Sequence, residues 1–136
     1  MQTIFPILRY NDARAAIQWL SAAFGFQERF SFPETGQFVR HAQLSLDTNL
    51  IMLGSSREDG LKSPQTLGVA TQALCVYVPD VDSHYEKARL AGVEIMMPPQ
   101  DTDFGSREYH ARDPEGHLWT FGTYLPTADL VEEDSP

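Results

Sequence analysis

The sequence predicts an α+β fold of two tandem β-α-β-β-β modules, whose curved mixed sheets surround a pocket, within a single domain of its 136 residues. Three observations predict it. The order strand, helix, three strands can be read twice along the chain, and landmark residues of the first reading recur in the second at a nearly constant offset. A segment carrying Ser, Gly and Pro, from Ser55 to Thr71, lies between the two readings.

Each element has a local cause. Thr3 to Tyr10 is a short apolar run that ends at Asn11 and Asp12, which can cap a helix beginning at Ala13. Ala16, Ile17, Leu20 and Phe24 then recur at helical spacing, and Gly25 supplies the stop. Phe26 to Phe32 alternates in character, Pro33 to Gly36 turns the chain, and Val39 to Leu46 and Leu50 to Leu53 flank a tight turn at Asp47 and Thr48. In the second half Leu74 to Val78 reads as strand, Asp80 as cap, Val81 to Ala91 as helix and Gly92 as stop. Val93 to Met97, Arg107 to Arg112 and Leu118 to Tyr124 follow as strands. The pairs Gly25/Gly92, Gly36/Gly105, His41/His110 and Gly54/Gly122 are separated by 67, 69, 69 and 68 residues, the register of a duplication. His41 and His110 are read from this as equivalent. The domain spans residues 1–127, with module 1 at about 1–56, a linker at 57–71 and module 2 at about 72–124.

Charge and composition bound the partners. Lys and Arg total 10 against 19 for Asp and Glu, a formal charge of -9 that repels phosphate backbones and anionic membranes, so neither nucleic acid nor membrane is expected. Four of the acids fall in residues 128–136, an acidic tail expected to be disordered. The single cysteine, Cys75, excludes an internal disulfide framework. The opening MQTIFPILRYND lacks the basic and apolar regions of a signal peptide, so a cytoplasmic location is expected.

Three stretches resemble the vicinal oxygen chelate superfamily, which includes glyoxalase I, extradiol dioxygenases, fosfomycin-modifying enzymes and bleomycin-resistance proteins. They are Ile7 to Asp12 running into Ala16 to Leu20 and Phe24-Gly25-Phe26, then Val76 to Asp82 with Ala91-Gly92-Val93, and finally Arg112 to Phe121. The last, RDPEGHLWTF, is the most specific. The resemblance implies paired modules and a cavity completed by a homodimer. It does not imply one reaction, because the fold hosts many.

Metal-dependent members of that superfamily place His, Glu or Gln on the first and last strand of each module. The matching positions here are Phe5, Met52, Ala73 and Thr120, none of which is a usual ligand for a divalent ion. Gln72 is one residue away from Ala73, which in a strand turns its side chain to the opposite face. No metal and no other cofactor is therefore expected. The alternative is a displaced site built from His41, Glu108 and His110. It is disfavoured because the third strands of the two modules would stand about 24 Å apart along one continuous sheet.

The pocket residues expected from alternation are Phe5, Ile7, Arg9, His41, Gln43, Met52, Cys75, His110 and Thr120, with Phe30, Phe32, Phe104 and Tyr109 as aromatic surface at its mouth. Cys75 is read as a small apolar packing group, Arg112 and Asp113 as shaping the turn into the last strand, and Trp19, Trp119 and Phe121 as core. The residues thus suggest a metal-free protein that sequesters an aromatic or cationic natural product, resembling bleomycin-resistance proteins, with no catalytic residue. Two rivals are a lyase or dioxygenase with a displaced metal or a histidine base, and a subunit that keeps the fold for assembly.

Overall fold

The computed structural model describes residues 1–128. The acidic segment expected to be disordered lies, apart from Ala128, outside the described residues. The first module comprises β1 (Ile7–Tyr10), α1 (Ala13–Phe24), β2 (Gln27–Phe32), β3 (His41–Leu46) and β4 (Asn49–Ser55). After a short helix α2 (Pro64–Leu67), the second comprises β5 (Ala73–Tyr77), α3 (Val81–Leu90), β6 (Glu94–Asp101), β7 (Arg107–Arg112) and β8 (Leu118–Gly122). They form two four-stranded mixed sheets, ordered β1-β4-β3-β2 and β5-β8-β7-β6.

In each sheet the strand before the helix runs parallel to the last strand, as a helical crossover requires, and the other pairings are antiparallel. Asp12 and Asp80 cap α1 and α3 by accepting from the backbone N–H groups of Ala15 and Ser83. Gly25 ends α1 at φ 86°, a left-handed conformation that costs a glycine little. Register shifts interrupt β2 between Glu28 and Phe30, and β6 at two places after Ile95. Such bulges bend a strand and raise its twist.

One face of each sheet is buried. Leu8, Tyr10, Ala42, Leu44, Ile51 and Leu53 from the first sheet, and Tyr109, Ala111, Trp119 and Phe121 from the second, pack with Ala16, Ile17, Leu20 and Phe24 of α1 in one core. Phe24 joins the modules, its ring centroid 4.5 Å from that of Phe121 and 5.4 Å from that of Trp119. Among the described residues no helix is long and apolar enough to cross a membrane.

The strand registers confirm the duplication and correct one pairing within it. Ile7 pairs with Met52, and Cys75 with Thr120, so β1 and β4 map onto β5 and β8 with a common offset of 68 residues. Met52 then faces Gln43, whereas Thr120 faces His110. His110 is therefore the counterpart of Gln43, and His41 is not its equivalent. The reason is the turn: Asp47-Thr48 connects β3 to β4 with two residues, while Asp113 N–H bonds to the His117 carbonyl across a three-residue loop. The extra residue slides β7 one step past the position that the first module predicts. The two mixed sheets are those expected, and because they are separate a distance counted along one sheet does not apply to the third strands.

RDPEGH does more than turn the chain. Asp113, 3% exposed, accepts through Oδ2 from the Tyr10 hydroxyl at 2.6 Å and Trp119 Nε1 at 3.2 Å, and through Oδ1 from the N–H groups of Glu115 and His117, each at 3.0 Å. Glu115 accepts from Asn11 N–H at 2.6 Å, Asp12 N–H at 2.8 Å and the Ser63 hydroxyl at 2.6 Å. One loop of module 2 thus fixes β1, the start of α1 and the linker. Burial, followed by the neighbouring Asp113, holds the Tyr10 hydroxyl well above its ordinary pKa, so it stays a proton donor.

His84 ties α3 to the core. Its Nε2 donates to the Phe24 carbonyl at 3.0 Å, since a carbonyl can only accept, and its Nδ1 accepts from the Tyr109 hydroxyl at 2.6 Å. This bonding suits the neutral ring, and burial pushes its pKa below the ordinary 6.5. The unfolded chain, with His84 near 6.5, takes up a proton that the folded chain resists. Stability is therefore fully present above that pH and falls as pH is lowered through it. Urea unfolding at a series of pH values should show this fall, with a shallower slope in His84→Gln; equal slopes would contradict it.

Candidate functional site

The faces turned away from the helices hold most of the expected site residues. On the first sheet the register places Ile7, Met52, Gln43 and Phe30 in one row across β1, β4, β3 and β2. Beside it, Arg9 pairs with Gly54 and His41 pairs with Phe32. All are partly or fully exposed except Gly54, and His41 Nε2 lies 3.1 Å from Gln43 Nε2, within hydrogen-bond reach. The result is an apolar strip with an amide and an imidazole at its middle and two phenylalanines at its outer edge.

Gly54 leaves a gap in this face that Arg57 fills. A Cβ at residue 54 would stand 2.5 Å from Arg57 Nη2 and 2.8 Å from the Arg40 carbonyl, to which that same Nη2 donates at 2.6 Å. The guanidinium also lies over the Phe38 ring, 5.5 Å from its centroid. Burial first, then the charges of Arg9 and Arg40, lower its pKa, while Asp59 opposes them. One end of the face is therefore cationic in a chain whose formal charge is -9.

The second sheet carries the row Cys75, Thr120, His110 and Met97. His110 Nε2 lies 3.4 Å from Glu108 Oε1. Cys75, expected as a packing group, is exposed on this face; partial desolvation, then the charge of Glu108, still raises its thiol pKa, which keeps it protonated and poorly nucleophilic. His110 and Thr120 thus belong to a different face from Ile7, Arg9, His41, Gln43 and Met52, and the expected list divides into two groups.

One aromatic expectation is corrected. Tyr109 is 0% exposed and stacked in the core against Phe121, because alternation from His110 turns it toward the helices. Phe104 is exposed in the loop between β6 and β7, where its ring meets the edge of Tyr124. Phe5 precedes the paired part of β1 and is half-exposed. Trp119 and Phe121 are core, as expected. Trp19 packs at the core's margin and lines a shallow cavity of about 630 Å³ beside the RDPEGH loop.

The divalent metal site implied by the resemblance does not fit these residues. Met52 and Thr120 occupy the open faces of β4 and β8, Ala73 opens β5, and none offers a hard-cation ligand set together with Phe5. Among the described residues no three His, Cys, Asp or Glu side chains are placed so that they could hold a metal ion. Glu108 and His110 are neighbours, but His41 lies on the other sheet beside Gln43.

Sequence reasoning missed the part played by the linker. Residues 60–72 fold over β1 and enclose about 300 Å³ with Ile7, Arg9 and His117. The Ser63-Pro64 pair was a readable signal. Ser63 caps α2 through its hydroxyl and Pro64 takes the first helical position.

Comparison with known proteins agrees with this architecture. An uncharacterized protein of Mycobacterium bovis is 31% identical over 131 residues, covering 93% of this chain and 86% of that protein. Among solved structures, TioX from Micromonospora sp. ML1 is 34% identical at a TM-score of 0.76, covering 92% of this chain and 100% of that one. The fosfomycin resistance protein FosX from Listeria monocytogenes shares the fold at 16% identity and a TM-score of 0.68, covering 92% of this chain and 94% of that one. The family model for the Glyoxalase/Bleomycin resistance protein/Dioxygenase superfamily matches residues 3–121, and the chain belongs to that superfamily.

Proposed function

We propose that this chain is a metal-free small-molecule-binding protein that sequesters an aromatic natural product on the open face of its first sheet. The observation that carries the reading is the register row Ile7, Met52, Gln43 and Phe30. A residue matching a metal-ligand position of the superfamily is here part of an apolar strip. A thioether and an aromatic ring are good surfaces for a flat ligand, and the Gln43 amide can orient it. The net charge of -9 steers cations toward the protein, but Arg9, Arg40 and Arg57 at this face oppose one there. The aromatic part of the reading is the part these residues favour.

A second copy of the chain is the natural cover for this face. β1 and β5 are sheet edges, and Ile4, Phe5, Ile7 and Phe32 near the first sheet are all more than a third exposed. Light scattering should then give about twice the 15.3 kDa of one chain. A monomer at micromolar concentration would remove the shared groove from the proposal.

The direct test is titration with a panel of flat aromatic antibiotics, followed by recovery of the ligand. Saturable binding with the ligand unchanged is expected, weakened about tenfold by Phe30→Ala, the loss of one stacked ring with its buried area. Absence of any saturable binder, or chemical conversion of one, would overturn it. Conversion would favour a second reading, an enzyme using His110 as general base, for which the Glu108 carboxylate 3.4 Å away is the favouring observation.

A further inference from the structure

We infer, resting on the proposed function of the first sheet, that its ligand is an aromatic carboxylate and that Arg57 selects the acid. Residue 57 lies just beyond β4, yet its head group lies back over that strand, with Nη2 2.5 Å from where a Cβ on Gly54 would stand. Arg57 Nε donates to the Ser55 carbonyl at 3.1 Å and Nη2 to the Arg40 carbonyl at 2.6 Å, so two backbone groups fix the guanidinium plane. Among the described residues its Nη1 meets no acceptor, and that atom keeps access to solvent. A held cation with a free N–H end is preorganised for an anionic oxygen.

The surrounding charge favours the same ligand. Asp59 is the one carboxylate whose charge acts on Arg57, and it is already bonded by Arg9 Nη2 at 2.6 Å. Among the described residues Arg57 has no ion pair, in a chain where acids outnumber Lys and Arg by 19 to 10. Arg9 and Arg40 add like charge beside it. Three arginines with a single carboxylate between them are short of an anion, and a bound acid relieves their repulsion.

The second module supplies a control. Gly122 is the counterpart of Gly54, and a Cβ there would stand 2.7 Å from the Arg107 carbonyl, so glycine at both positions serves the close approach of the strands. In the second sheet the side chain beside that glycine is Glu108, its Cβ 2.8 Å from the added Cβ, and not an arginine. The cationic end therefore belongs to the first sheet alone. Met52 lies two residues from Gly54 on the same strand and face, a separation of about 7 Å. A ring resting on Met52 thus brings its own carboxylate to about 3 Å from the guanidinium. A carboxylate lies in the plane of the ring that carries it, so both can rest on the sheet, whereas a tetrahedral phosphate or sulfonate stands out of that plane.

The test titrates the full chain, isotope-labelled for amide NMR, with 2-naphthoate and with its neutral isostere 2-naphthamide at constant ionic strength. Both should saturate with shifts along β3 and β4, and the acid should bind about tenfold more tightly. The net charge of -9 repels acids in general, so tighter binding of the acid reports the local arginine. Arg57→Gln should remove the preference and leave the amide within about twofold of wild type, while Phe30→Ala should weaken both probes alike. Should Arg57→Gln fail to fold, Arg57→Met, which keeps the stem beside Phe38, serves in its place. Equal binding of the two probes, or an unchanged preference in the variant, overturns the selection of an acid and leaves the aromatic strip standing. No saturation by either probe, or shifts along β7 and β8 only, overturns both.

Discussion

Asp113→Ala is expected to destabilise the protein by about 4 kcal/mol, lowering Tm by about 12–15 °C for a chain of this size. The substitution removes a buried carboxylate that accepts four hydrogen bonds, and it strands the Tyr10 hydroxyl and Trp119 Nε1 in the core. Each orphaned donor then costs about 1–3 kcal/mol. Asp113→Asn keeps the shape and part of the bonding, so roughly half the loss is expected. Thermal and urea unfolding of the three proteins measure this. A loss below about 1 kcal/mol for Asp113→Ala would mean that the loop merely turns the chain and does not join the modules.

That clamp shows what the sequence could and could not disclose. Asp113 was legible as the residue that shapes the turn, because Asp-Pro followed by Gly is turn chemistry within its own few residues. Its partner Tyr10 lies 103 residues away, and Glu115 reaches Ser63 across 52. No local pattern encodes such pairings. The linker's role was not legible for the same reason, since it depends on what Ser63 and Arg9 meet in space.

The duplication was legible because helix caps and stops are local. Asp12 and Asp80, Gly25 and Gly92 mark the same backbone events in both halves. The third strands were mismatched because two histidines 69 residues apart look like a pair, whereas the hydrogen-bond register follows turn length. A trace of that shift was present in the sequence: the offset grows from 67 at Gly25/Gly92 to 68 at Gly54/Gly122, one residue gained in between. Alternation also contained the true position of Tyr109, which has the opposite parity to His110.

Met52→Asp should abolish binding of the aromatic ligand, with at least a hundredfold rise in Kd, about 2.7 kcal/mol. Met52 is partly exposed at the centre of the strip, so the free protein can hydrate a carboxylate there. A bound flat ligand would cover it and leave an unpaired charge out of water. Stability should change by less than about 1 kcal/mol, which separates this effect from unfolding. Calorimetric titration and urea unfolding on the same preparation measure both. Wild-type affinity in Met52→Asp would move the binding surface off the first sheet, to the face of Thr120 and His110.

In the proposed function the open faces bind ligand without the divalent metal that other members of the superfamily use. The most direct test is the metal content of untagged, freshly purified protein, measured per chain by elemental mass spectrometry. A negligible amount of any transition metal is expected, with aromatic-ligand affinity unchanged after treatment with a chelator. Close to one metal ion per chain, lost together with ligand binding on chelation, would contradict it and direct attention to Glu108 and His110.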